Sequence, residues 1–223
     1  MGLTLPMSNE LGRTVFVLAV LVFLGWFAVG THVNVRKGHR LVRWLQDGMP
    51  LLGAKTTLRW LGSSATELKV QHALEPLRSV DIFIVLEPRD IPFLWWPFHA
   101  RGRRDLLIVR AQVATTPRFE LEALDLRAWS TRGIERAVRR HQWTPVAVPP
   151  GSPLVAYSRG PSDAAAEVLH IATLPELSLV RVAVHRGAPN LEVQWTLAGL
   201  DRLESARLLE TVHRLAEAVG GKR

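Results

Sequence analysis

No charged side chain occurs between Arg13 and Arg36. The centre of this interval, Thr14 to Thr31, reads Thr-Val-Phe-Val-Leu-Ala-Val-Leu-Val-Phe-Leu-Gly-Trp-Phe-Ala-Val-Gly-Thr. An α-helix of about 20 apolar residues crosses a hydrocarbon core of roughly 30 Å. Lipid offers no partner to a backbone N–H or C=O, so a lone spanning segment has to be helical. Residues 13–35 are therefore expected as one transmembrane helix, after a short tail at 1–12. Trp26 and Phe27 suit the bilayer interface, where aromatic belts form.

The two flanks differ in charge. Arg13 precedes the helix and is offset by Glu10, whereas Arg36, Lys37, Arg40 and Arg43 follow it. Basic residues beside a spanning helix tend to stay in the cytoplasm. This predicts a single-pass protein of the cell membrane with its N-terminus outside and its C-terminal domain in the cytoplasm. The competing reading is a cleavable signal peptide, with Ala28-Val29-Gly30 as a small-x-small site. The long, barely basic leader and the strongly basic stretch behind that site speak against it. N-myristoylation of Met1-Gly2 fails, because Pro6 occupies the position that requires Ser or Thr.

Beyond the anchor the chain has ordinary globular usage, 48% hydrophobic and 22% charged overall. A basic juxtamembrane segment is expected at 36–50. Leu41, Trp44 and Leu45 share one helical face there, and Arg36, Arg40 and Arg43 another. An α+β domain is expected at 51–223, mainly an antiparallel sheet with two or three packed helices. Thr56–Trp60 and Glu67–Gln71 read as strands, as do Val80–Leu86 and Leu106–Val113, the last two as central strands buried on both faces. Phe119, Leu121 and Ala123 alternate with Glu120 and Glu122. Arg132–His141 reads as a helix. Pro149-Pro150-Gly151-Ser152-Pro153 marks a possible subdomain boundary near 145–153. Ser162 is expected to cap a helix through Ala172. Val180–Val184 and Leu191–Leu197 read as a hairpin with one buried face, and Asp201-Arg202-Leu203-Glu204 as a capping box opening the final helix.

The absence of cysteine excludes disulfides, thiolate nucleophiles and Cys-based metal sites. The eight histidines are scattered, with no close metal-binding pair. Gly62-Ser63-Ser64 lacks the contexts of a phosphate loop or a serine nucleophile and reads as a turn. No catalytic, cofactor or metal site is expected from any motif.

The net charge is +8, and nearly all of the excess lies between His32 and Arg159. Within that region, Ile91-Pro92-Phe93-Leu94-Trp95-Trp96-Pro97-Phe98 combines large aromatics with prolines and runs into Arg101, Arg103 and Arg104. Rings of this kind partition into the headgroup layer and guanidiniums meet lipid phosphates there. The segment is therefore expected as a loop dipping into the membrane beside the anchor. The competing reading places these rings in the domain core. Arg132, Arg136, Arg139 and Arg140 lie largely along one side of their helix and offer anionic lipid a basic stripe. With Trp44 and the aromatic segment, they complete the expected membrane-facing side. Nucleic acid is disfavoured, because no recognition motif accompanies the charge.

The function expected from these features is a membrane-tethered binding or scaffold domain. Its basic side would face anionic lipid and its near-neutral distal side a protein partner. The alternatives are an enzyme acting on a membrane lipid or phosphorylated headgroup, and a subunit of a larger membrane complex.

Overall fold

The first helix, α1, runs without interruption from Met7 to Gln46. The structure is a computed structural model and describes residues 7–131, 133–140 and 143–221. The strands are β1 Thr56–Trp60, β2 Ala65–Val70, β3 Leu77–Val85, β4 Leu106–Val113, β5 Glu120–Asp125, β6 Thr144–Val146, β7 Leu154–Arg159, β8 Leu179–Val184 and β9 Leu191–Thr196. The remaining helices are α2 Pro92–Ala100, α3 Ile134–Arg140, α4 Ser162–Ala172 and α5 Ser205–Gly220. The fold is α+β, with all nine strands in one antiparallel sheet of order β1-β2-β3-β4-β9-β8-β5-β7-β6.

Register explains the core. One row of directly opposed residues crosses the sheet: Leu58, Leu68, Ile82, Val109, Val193, Val182, Ala123, Ala156 and Val146. Every member except Leu58 on the edge strand is buried. Period-two alternation in each strand puts these side chains on one face, where α4, α5 and the end of α1 cover them. Each buried Leu, Ile or Val contributes about 1.5–3 kcal/mol relative to exposure. Trp195 lies in the same layer, fully buried, and its indole N–H donates to the Ala172 carbonyl at 3.0 Å where α4 ends.

The segment expected as a separate juxtamembrane helix is the continuation of α1. Leu41, Val42 and Leu45 are buried in the domain core, so the end of α1 is a core helix. The strands β3 and β4 are fully buried on one face only, not both, because no helix layer covers their second face as it covers the first. Ser162 is the first residue of α4, whose N-cap is Pro161, and makes no cap hydrogen bond to the backbone. The expected capping box is absent as well. Leu200–Arg202 form a 3-10 turn and α5 begins at Ser205, after Glu204. The proline-rich stretch near 145–153 links β6 to β7, which pair with each other within the one sheet.

The second face carries charge. Lys69, Asp81, Arg110, Glu192, Ala183, Glu122 and Tyr157 oppose one another in a row across it. Arg181 donates to Glu122 at 2.7 and 3.1 Å and to Glu192 at 2.7 Å, while Arg110 donates to Glu192 at 2.7 Å. Burial pushes the Glu192 carboxyl up, but Gln194 and the two arginines outweigh it and hold it below the usual range. His185 Nε2 lies 3.1 Å from Glu122, and that hydrogen bond raises the imidazole above its ordinary value against the opposing effects of burial and Arg181. A folded-state value above the unfolded one stabilises the fold at pH below about 6.5 and ceases to do so as pH rises through the folded value. Ring-proton titration by NMR should place the His185 midpoint above 6.5, and Glu122→Gln should bring it down. An unmoved midpoint in that variant would remove Glu122 as the cause.

Candidate functional site

The exposed part of α1 ends where the domain begins. Residues 10–29 are solvent-exposed, and the first buried residue is Gly30. Twenty residues at about 1.5 Å rise make about 30 Å, the thickness of a hydrocarbon core. From Gly30 onward one stripe of α1 is buried: Gly30, Asn34, Gly38, then Leu41, Val42 and Leu45. The stripe changes from small and polar at Gly30, Asn34 and Gly38 to apolar at Leu41, Val42 and Leu45.

Against the small part of this stripe sits the connection from β3 to β4, which carries α2. The segment Ile91–Phe98 was expected as a loop and is the greater part of a helix. Pro92 occupies the first turn, where a missing N–H costs nothing, so only Pro97 interrupts the pattern. No residue of α2 is fully buried. It meets α1 through two ring pairs: Phe93 stacks on Phe23 with centroids 6.2 Å apart, and Trp95 lies 6.2 Å from Trp26. Phe93 nevertheless stays 65% exposed, and Trp96 is 75% exposed. Between α1 and α2 runs an apolar groove of about 430 Å³, walled by Val22, Gly25, Trp26, Val29 and Trp95, with Arg89 at its base.

Under α2 lies a buried polar cluster. Asn34 is 0% exposed and donates from Nδ2 to the Glu87 carbonyl at 3.0 Å. Asp105 is buried and accepts from Lys37 Nζ at 2.6 Å, from both Arg89 terminal nitrogens at 2.9 and 3.0 Å, and from the Glu87 backbone N–H at 2.7 Å. Arg89 also donates to Asn34 Oδ1 at 3.2 Å. Burial pushes the Asp105 carboxyl up, but the hydrogen bonds from Arg89, Lys37 and Glu87 prevail and hold it below the usual carboxylate range. Glu87, also buried, holds Trp95 Nε1 and His99 Nδ1 within 2.8 Å of one carboxylate oxygen. Beside them Ser63 donates to Asp90 at 2.6 Å, and Trp26 donates to the Arg89 carbonyl at 2.8 Å. These polar contacts tie α1, the β3–β4 connection and α2 into one unit. Among the described residues, no group of three or more His, Asp or Glu is arranged to hold a metal ion.

The structure brings some of the expected membrane-facing residues together. Phe93, Trp95, Trp96 and Phe98 share α2, and Arg101, Arg103 and Arg104 follow directly. Trp44 lies elsewhere. It is partly buried against the core, and its indole N–H donates to the Leu203 carbonyl at 3.0 Å ahead of α5. Trp44 thus packs against the core, because α1 continues past Gly30 into the domain. Arg136 is exposed on α3. Arg132 lies outside the described residues, as do the side chains of Arg139 and Arg140.

The buried cluster of Asn34, Glu87, Arg89 and Asp105 was not anticipated. Its signal was present in Gly30, Asn34 and Gly38, spaced by four residues along one helical face. No protein-family model matches the chain, and a search of the curated proteins finds no relative.

Proposed function

We propose that the protein is a single-pass, membrane-anchored binding or scaffold module. In this reading α1 spans the bilayer, and α2 lies in the headgroup layer at the domain's edge. What carries it is the placement of Phe93 and Trp96, exposed on a short helix that packs beside the apolar stretch of α1. Water gives such rings no reason to be displayed there; lipid does. Arg36 on α1 and Arg101 and Arg104 just after α2 are exposed and favour an anionic surface. The same basic flank favours a cytoplasmic domain. The contacts of Phe23 and Trp26 with the domain favour an anchor that stays attached, since a cut after Gly30 would remove both. The distal ends of the sheet and α5 are then free for a protein partner. An enzyme acting on a phosphorylated headgroup is the second reading, favoured by the polar cluster directly beneath α2.

The cysteine-free chain allows a direct test. In membranes from expressing cells, full-length Trp96→Cys should resist a water-soluble maleimide and react once detergent is added. Arg186→Cys, on an exposed turn, should react only after the cells are permeabilised. Rapid labelling at 96 in intact membranes would remove α2 from the lipid, and labelling at 186 in intact cells would reverse the orientation.

A further inference from the structure

The sheet ends on β1 at one side and on β6 at the other. An open edge is a template for a further strand, and proteins blunt it with short strands, proline or bulges. The β6 edge is blunted: it has three residues, and Pro145 is one of them. The β1 edge is not. It has five residues without proline, and its register with β2 is unbroken from Thr56 to Trp60. Thr56, Thr57, Leu58 and Arg59 are all exposed.

The ladder fixes which backbone groups are open. In the register that pairs Trp60 with Thr66, the Leu61 N–H donates to the Ala65 carbonyl at 2.9 Å. Bonded and unbonded pairs alternate along antiparallel strands. Arg59 and Thr57 therefore bond to β2, whereas Thr56, Leu58 and Trp60 turn their N–H and C=O groups outward. No backbone group among the described residues meets these. The side chains of the same three residues lie on the core face, over which α1 runs. The His39 ring sits 4.6 Å from the Trp60 ring, and Gly38 lets the helix approach, since a Cβ there would lie 2.9 Å from the same indole. Lys37 and Trp44 reach Asp105 and Leu203 from one flank of α1. The opposite flank, which carries Arg36, His39 and Arg43, therefore overhangs the β1 edge. These three are exposed and line a shallow hollow with no acidic side chain.

We propose that β1 is the docking edge for an extended acidic segment of a partner protein, added antiparallel as a tenth strand. Such a strand lies about 4.8 Å beyond β1, beneath the overhanging flank. The outward groups of Thr56, Leu58 and Trp60 supply its backbone hydrogen bonds. Every second side chain of the strand points toward Arg36, His39 and Arg43, which select Asp or Glu there. Antiparallel addition continues the sheet and is the more stable of the two pairings. A second copy of this chain, paired through its own β1, would bring two basic flanks together, and like charge opposes that. The inference names the partner class of the binding module and rests on that reading, but not on the place of α1 in lipid.

The probe is a fluorescent octapeptide of alternating glutamate and threonine, titrated against the full-length protein in phosphatidylcholine nanodiscs and read by anisotropy. In the antiparallel register the glutamates that face α1 are also the residues bonded to β1. N-methylation of the glutamate amides should therefore abolish binding, and N-methylation of the threonine amides should spare it. A peptide of alternating lysine and threonine should not bind. Leu58→Pro removes an outward N–H and no bond to β2, so it should abolish binding while the β1–β2 pair persists. Arg43→Glu, on the exposed flank, should weaken binding about tenfold and leave the melting temperature unchanged. Binding that both methylations affect alike, or that neither affects, overturns the proposal. Dimerisation without peptide that Leu58→Pro removes overturns it in favour of a second copy. No peptide binding, with Arg43→Cys shielded from maleimide once phosphatidylserine is added, gives the flank to the membrane instead. Labelling at position 96, read in the same nanodiscs, separates each of these failures from that of the membrane reading.

Discussion

Replacing Asp105 with Ala should destabilise the domain by about 3 kcal/mol, at the lower end of the cost of breaking a buried ion pair. The carboxylate is buried and meets two cations, Arg89 and Lys37, as well as the Glu87 backbone N–H. Its removal leaves the partly buried Arg89 guanidinium with only the longer 3.8 Å pair to Glu87, and one buried N–H without an acceptor. Lys37 is 38% exposed and can turn to water, which keeps the loss from being larger. Asp105→Asn retains the shape and an acceptor but not the charge, so it should cost less than Ala. The wild-type contribution has a defined pH window. The folded carboxyl titrates below its unfolded value, so the stabilisation is present above about pH 4 and is lost as pH falls through the folded value. Chemical denaturation in mild detergent at neutral and acidic pH measures this. Equal stability of parent and Asp105→Ala at neutral pH would mean that water already replaces these contacts.

The parts of this fold that one-dimensional periodicity encodes were legible in the sequence. The hairpin of β8 and β9 was legible from its alternation, because Leu191, Val193 and Trp195 face a helix layer, but its second face, expected to be exposed, is buried as well, with Glu192 and Gln194 drawn into the charged row. The apolar run of α1 is equally plain. Two other features required knowledge of what lies opposite. Nothing in Val80–Leu86 states that helices cover only one face of β3, so an apolar run suited to burial on both faces reads the same. The prolines at 92 and 97 suggested a broken loop, yet the first is at a position where helices accept proline. The candidate site was the least legible. Asn34 comes from a helix and Glu87, Arg89 and Asp105 from the two ends of the β3–β4 connection, up to 71 residues away, and none belongs to a local motif. Gly30 was visible, but as half of a cleavage site. Its structural meaning appears only with the Arg89 backbone against it.

That close approach makes Gly30 the position where the smallest change should have the largest geometric effect. A Cβ at residue 30 would lie 2.6 Å from both the Arg89 carbonyl carbon and the Asp90 Cα. These are backbone atoms held by the cluster around Asp105, so neither side can yield by a rotamer change. Gly30→Ala should therefore push the 87–90 connection off α1 and break the Trp26 to Arg89 hydrogen bond. The cost of overpacking is about 1–3 kcal/mol where neighbours can shift, and the upper end is expected here. Gly25 provides the control one and a half turns away. A Cβ there meets nothing within 4 Å, since the position opens onto the groove. Gly25→Ala should not lower stability, because it brings the same gain in helix propensity with no new contact. The comparison isolates contact from propensity. Thermal unfolding of the two variants in the same detergent, with limited proteolysis across the 87–105 connection, reads it out. Cleavage there in Gly30→Ala and not in Gly25→Ala would show that the anchor is the surface on which the candidate site is assembled. Equal resistance in both would mean that the connection keeps its place without α1.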